Sequence, residues 1–474
     1  MTREKHKKKM GRREFLAVST AAAAGGIVGG LAVGGIAGFF AGQSMAGPAR
    51  TETVTRTTTV GGQTVTVGGQ TVTTTQVQTV TRTVGGLEDA PRKIKIGATV
   101  SETGILTASV GLLGKAFKVA ERLINEQGGI YVDEFGRRLP VEIIYYDDKS
   151  DPATTERFYT RLATEDQVDV LIGPFTAVNA IPASAIAERY GVPYVDAAAS
   201  EKPIYNKKWV VGVLDLVEKW LTAYFEMVDW YKANRGYRIE TVAFANSDEP
   251  FGNEVSDFGI KLAEEKGLSV VGHEKYTFDT QDFTPIITKF KAEDPDVIIM
   301  TDPVGVLQAI FWRQAFELGL RPRDFHPAFG LLKAVRDAMG PELANGITSD
   351  DWVPPELPYE SDLGKRFYEK VQQGAGYRHE EYPWQTIHYV CLEIALKAVQ
   401  VAGSLDKERI REALYNMRIT TIGGPWFAEK DPEKFAGHGT ILPVPIQYIG
   451  GQKRVLWPPE LATGEWVYPA PWAR

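Results

Sequence analysis

From residue 93 onward, short apolar runs alternate with amphipathic stretches. Lys93-Ile-Lys-Ile-Gly-Ala-Thr-Val100 alternates and then runs apolar, which predicts a strand. A glycine-containing loop follows, then a helix to about residue 127 closed by Gly128-Gly129. Residues 141–146 read as a second strand. Asp151-Pro152 places an N-cap before a proline at the first helical position, opening a helix to about residue 165. Residues 168–172 form a buried strand, and the next helix stops at Tyr190-Gly191. Strands at 192–196 and 209–213 follow. The rhythm then restarts with helices near 217–234, 251–266, 282–292 and 304–319, separated by strands at 241–245, 268–272 and 297–301. Strands alternating with helices imply βαβ units on a parallel sheet. About eleven such elements are too many for one open sheet, so an α/β fold of two doubly wound parallel-sheet lobes is expected.

The first ninety residues obey different rules. A basic block (Arg3, Lys5, Lys7, Lys8, Lys9) precedes Arg12-Arg13-Glu14-Phe15-Leu16 and an Ala/Gly-rich apolar run to about Ala41. This resembles a twin-arginine export signal, with Gly11 where Ser or Thr is usual. The run also exceeds the ~20 residues that span a bilayer, so residues 1–46 are an export signal or a membrane anchor. Cleavage near Ser44-Met45-Ala46 and retention both stay open. Residues 47–91 are almost entirely Thr, Val, Gly and Gln. The run Val60-Gly-Gly-Gln-Thr-Val-Thr66 recurs from Val67, and Thr-Val-Thr-Arg-Thr occurs at 53 and at 79. With glycine pairs and no large apolar groups there is little to bury. An extended spacer is expected, with a pair of small hairpins as the alternative.

Composition narrows the function. A net charge of -7 over 474 residues excludes nucleic acid as a partner. The single cysteine, Cys391, excludes internal disulfides, thiolate zinc clusters and a lipoprotein anchor near the start. There is no GxSxG elbow, no GxxxxGK[ST] loop, no Asp-x-Asp-x-Asp-Gly loop and no HExxH pair. No enzyme, cofactor or metal site is expected. Tyr145-Tyr146-Asp147-Asp148 with Asp151 brings acids together, but they are expected to face solvent or cap a helix; His379-Glu380-Glu381 reads as surface.

The folded region resembles the branched-chain-amino-acid type of extracellular solute-binding protein, the ligand receptor of an ABC importer, with a type I periplasmic-binding fold. The matching stretches are Ile94-Lys-Ile-Gly-Ala with Thr103-Gly104, Ile124-Asn-Glu-Gln-Gly-Gly-Ile130, Tyr146-Asp-Asp148, and Ile172-Gly-Pro-Phe-Thr176. Val192-Pro-Tyr194, Ala197-Ala-Ala-Ser200, Pro250-Phe-Gly252, Asp294-Pro-Asp296, Arg313-Gln-Ala-Phe-Glu-Leu-Gly319 and Val455-Leu-Trp-Pro-Pro-Glu-Leu461 continue the match. Each is weak alone; their order and spacing over the whole region carry the resemblance. It implies two lobes joined by three crossings, with lobe one at 92–213 and 352–440 and lobe two at 214–351 and 441–474. It also implies permease and ATPase partners, export to the cell surface or periplasm, tethering if the N-terminal segment is kept, and capture of an amino acid or related small carboxylate or amide by lobe closure. The alternative is a ligand-sensing ectodomain that works with a separate signalling partner.

The resemblance places the ligand on the loops after the third and fourth strands, where hydroxyls and helix-N-terminal N–H groups suit an anion. These loops carry Thr176, Ala177, Ala198, Ala199 and Ser200. Ala177 stands where the family often has Ser. Phe251, where the family often has Tyr, would cover the ligand from lobe two. The acidic residue that binds the amino group would fall near residues 327–330, which read Pro-Ala-Phe-Gly, so Asp302 is the nearest replacement, unless it only caps the helix after it. Trp209, Trp312, Trp352 and Trp384 are candidate stacking groups, with core packing the more usual role for each.

Overall fold

The computed structural model describes residues 51–55, 64–67, 70–73, 79–83, 86–198, 201–328 and 333–473. Residues 1–46, expected to be an export signal or a membrane anchor, therefore lie outside the described residues. The repeat region is not simply extended. Thr64–Val67 pairs antiparallel with Gln70–Thr73, and strands Thr51–Thr55 and Thr79–Thr83 form a second two-stranded sheet. Thr/Val alternation has the β propensity to form such ladders.

The body begins with β1 (Ile94–Val100), α1 (Leu113–Glu126), β2 (Val141–Asp147), α2 (Pro152–Thr164), β3 (Val170–Ile172), α3 (Ala177–Tyr190), β4 (Tyr194–Asp196) and β5 (Val210–Gly212). The strands form one sheet in the order β5-β4-β3-β1-β2, every pair parallel. Their near-continuous burial is what two helix-covered faces demand. Asp151 caps α2 as its sequence predicts, accepting from the Thr154 N–H at 2.7 Å. The acids beside it are a correction: Asp148 is buried rather than solvent-facing, because Thr99 and Ser101 hydroxyls (2.8 and 2.6 Å) tie it to β1 and the loop after it.

The second unit runs α4 (Thr222–Arg235), β6 (Thr241–Ser247), α5 (Pro250–Glu265), β7 (Ser269–Tyr276), α6 (Thr284–Glu293), β8 (Val297–Thr301), α7 (Gly305–Glu317) and β9 (Asp324–Pro327). Its sheet has the order β7-β6-β8-β9, again all parallel. Beyond it, β10 (Thr348–Asp351), β11 (Val444–Ile449) and β12 (Gln452–Val455) make an antiparallel sheet. The Thr348 and Ser349 hydroxyls tie β10 to β9, donating to Asp324 Oδ2 (2.8 Å) and the Pro327 carbonyl (2.5 Å). Helix α8 (Gly364–Ala375) precedes α9 (Pro383–Ala402), which is buried almost all round and returns to pack on β3 and β4 of the first sheet.

The chain passes between the two units three times. The first and third crossings pair: the Gly439 N–H donates to the Leu214 carbonyl (2.8 Å) and the Asp215 N–H to the Ile441 carbonyl (2.9 Å). A Cβ at Gly439 would sit 2.2 Å from the Val213 carbonyl oxygen, so only glycine permits this approach. The second crossing lies beside them, since Val353 and Ile441 side chains would both touch a Cβ on Gly423. Ion pairs brace the crossings. Asp215 meets Lys219 (2.8 Å) and His438 (3.2 Å), and Asp351 meets Lys453 (2.5 Å) and His379 (3.0 Å). His379 is thus buried and bonded, not a surface residue, its other nitrogen lying 2.8 Å from the Thr386 hydroxyl.

Candidate functional site

In doubly wound sheets, ligands bind outside the carboxyl ends of the strands where the order reverses. In the first unit that point lies between β1 and β3, and in the second between β6 and β8. Helices α3 and α5, which start just past β3 and β6, touch each other across the two units.

Thr176 marks the first wall. It is the N-cap of α3, with φ 73° and ψ 151°. Such backbone is essentially reserved for glycine, and a side chain there costs about 1–3 kcal/mol. Its carbonyl accepts the Ala180 N–H, while its hydroxyl, on a residue only 6% exposed, has no hydrogen-bond partner. Ala177 is the buried first residue of α3, where helix N–H groups have no intrahelical acceptor. Ala198 is buried after β4. Beneath it, burial pushes the Asp196 carboxyl up to about 7, against the Tyr194 hydroxyl (2.7 Å) and the N–H groups of Ala197 and Ala198, which lower it. The loops after β3 and β4 lie so close that a Cβ on Gly173 would meet the Ala197 nitrogen at 2.7 Å. Ala199 and Ser200 lie outside the described residues.

The second wall starts at Glu249, whose carboxylate caps α5 by accepting from the N–H groups of Gly252 (2.6 Å) and Phe251 (3.0 Å) and from the Ser247 hydroxyl (2.9 Å). Phe251 is buried, its ring edge-on to Trp220 with centroids 4.7 Å apart. Asp302 is fully buried and both its oxygens are engaged within its own unit, Oδ1 by the Val304 N–H (2.7 Å) and Oδ2 by the Tyr276 hydroxyl (2.8 Å). Burial pushes this carboxyl up to about 7, and the nearby Glu249 pushes the same way. Asp302 secures the turn into α7 and presents no free acid.

Between the walls runs a chain of rings, of which the sequence offered only Trp352 and Trp384 as stacking candidates and missed Trp220. Phe175 lies 5.6 Å from Trp384, Trp384 is 5.3 Å from Trp352, and Trp352 is 4.2 Å from Trp220. Trp220 in turn meets Phe251, so rings link the Thr176 loop to the α5 wall. Trp220 and Trp384 run nearly parallel, 18° apart with centroids 6.5 Å apart. The indole N–H groups of Trp220 and Trp352 have no hydrogen-bond partner. Leaving a buried polar group unsatisfied costs about 1–3 kcal/mol. Nothing local distinguishes these tryptophans in the chain; Trp384 sits at the start of a helix that is buried on almost every side. Trp312, by contrast, is core: its ring stacks on Phe325 (4.5 Å) and its N–H donates to the Leu343 carbonyl (2.8 Å). Trp209 lies under the Lys208 ammonium. Among the described residues no group of His, Cys, Asp and Glu could hold a metal ion.

A family model described as periplasmic binding protein matches residues 93–442. Among curated proteins, the Leu/Ile/Val-binding protein homolog 7 of Brucella abortus is 22% identical over 348 residues, covering 69% of this chain and 82% of that protein. Among solved structures, the leucine binding protein LivK of Thermotoga maritima superposes with a TM-score of 0.63 at 19% identity, over 77% of this chain and 98% of its own. A solute-binding protein of an ABC transporter from Rhodopseudomonas palustris, solved with 4-hydroxybenzoate, gives 0.61 at 21% identity, over 77% and 96%. At these identities the two structures speak for the fold: two parallel-sheet units of the type I periplasmic-binding kind.

Proposed function

The chain belongs to the periplasmic binding protein family, whose members bind solutes and do not transform them, and from that premise we propose that it is the exported capture subunit of an ABC importer, closing its two lobes on a small organic carboxylate. The observation that supports this reading most is Thr176: a strained N-cap with an unsatisfied, buried hydroxyl beside free helix N–H groups, at the strand-order reversal of the first sheet. Strain of that kind persists where function requires a particular backbone, and a helix N-terminus with a hydroxyl suits a carboxylate. Relatives named for leucine, isoleucine and valine, and a structural neighbour holding 4-hydroxybenzoate, share the carboxylate and differ in the rest. Ser200, two residues after Ala198 in the sequence, and Phe251, at the start of α5, are proposed as further ligand contacts.

Three boundaries follow from the same reading, with lobe one at 92–213 and 352–440 and lobe two at 214–351 and 441–474. The permease and ATPase are the partners, and an uncleaved N-terminal segment would tether the protein to the membrane. The test is mass spectrometry of small molecules released when the purified protein is denatured. A stoichiometric organic acid is expected; a protein free of any small molecule that also ignores a panel of organic acids in calorimetry overturns the proposal.

A further inference from the structure

Building on that solute-binding reading, we infer that the solute is a planar aromatic carboxylate without an ammonium group, its ring against the Trp220–Trp352–Trp384 cluster and its carboxylate on Thr176 and the start of α3. The first support is shape. Trp220 and Trp384 are nearly parallel (18°) with centroids 6.5 Å apart, and Trp352 packs against both at 4.2 and 5.3 Å, so the cluster presents several ring faces and edges in one place. Offset-stacked and edge-to-face contacts of this spacing favour a flat ring; a branched aliphatic chain gains nothing from ring orientation.

The second is the sign of the unsatisfied groups. The Trp220 and Trp352 N–H groups and the Thr176 hydroxyl lack hydrogen-bond partners, and all three residues are more than nine-tenths buried. An indole N–H can only donate, so two of these three groups suit ligand oxygens and the third can donate to one. The same indole edges disfavour a cation cage, which needs ring faces toward the charge. The third is that, among the described residues, the two acids nearest the start of α5 and α7 are already engaged: Glu249 by Gly252, Phe251 and Ser247, and Asp302 by Val304 and Tyr276. An α-ammonium placed there would be buried unpaired, which is costly.

Calorimetric titration of the full chain with benzoate, 4-hydroxybenzoate, L-phenylalanine, L-leucine and glycine betaine tests this directly. L-Phenylalanine is the informative control, because it keeps a ring and a carboxylate and adds the ammonium. The aromatic acids should bind at least tenfold more tightly than the other three. Trp220→Phe and Trp352→Phe, which keep a ring and remove the N–H, should each weaken 4-hydroxybenzoate about tenfold with little change in melting temperature. Tighter binding of an amino acid or of betaine, or binding of none of the five, overturns the inference. The broader reading is judged separately: an amino acid among the released small molecules would leave solute capture standing while removing the aromatic assignment.

Discussion

Thr176 combines two effects of opposite sign. Thr176→Gly should relieve the φ 73° strain and, after the entropic cost of glycine, raise stability by about 1 kcal/mol. It also removes the hydroxyl, and a hydrogen bond to a charged group is worth about 1.5–3 kcal/mol, so affinity for the carboxylate should fall about tenfold to a hundredfold. Thr176→Val should lose the same affinity while keeping the φ 73° strain, so any gain in stability there comes only from removing the unsatisfied hydroxyl. Thermal melts and calorimetry on both variants read the two effects apart. Asp196 supplies a pH test. Burial raises its folded carboxyl from 3.8 to about 7, so its contribution to stability is full below the unfolded value and lost as pH rises through the folded one. Asp196→Asn escapes that loss. Its melting temperature relative to the parent should therefore climb between pH 5 and pH 8, by the equivalent of about 1–3 kcal/mol; a difference that does not change with pH would contradict a raised Asp196.

Among the elements, the crossings depend on a few buried charges. Burial alone would push the Asp351 carboxyl up, but the Lys453 ammonium and the His379 ring hold it well below the usual carboxylate range. Lys453→Met leaves that charge less compensated and should cost about 3 kcal/mol at pH 7, read as a lower midpoint in urea. The loss should shrink as pH falls and Asp351 is protonated. How far these elements were legible varied along the chain. Up to about residue 319 the alternation of strand and helix gave element type and order, because Asp151, Gly128 and Gly191 mark ends by their own chemistry. Past that point periodicity fails: seventeen of the twenty residues of α9 are buried, which leaves no polar face to count. That is why Trp352 and Trp384 could be named as stacking candidates but not brought together with Trp220 and Phe175 into one cluster. Thr176 was found by its place in a loop, yet its strain was not, since backbone angles at a non-glycine residue leave no mark on composition. Asp302 looked like an available acid because sequence does not show that Tyr276 and the Val304 N–H already hold it.

Taken whole, the molecule is a pair of parallel-sheet units joined by three adjacent strands of chain, with rings and unsatisfied donors where the units meet. A chain starting at Leu87 should remain folded and bind solute as the full chain does, because the body's core begins at Ile94; circular dichroism and calorimetry on that truncation check it. The central claim is that solute closes the lobes, since only tighter binding to the closed state can shift such an equilibrium. Small-angle X-ray scattering on protein stripped of small molecules, then resupplied to saturation with whatever mass spectrometry shows it releases, tests that claim most directly. Closure should give a smaller radius of gyration on resupply; an unchanged scattering profile at saturation would mean that the lobes do not close on solute.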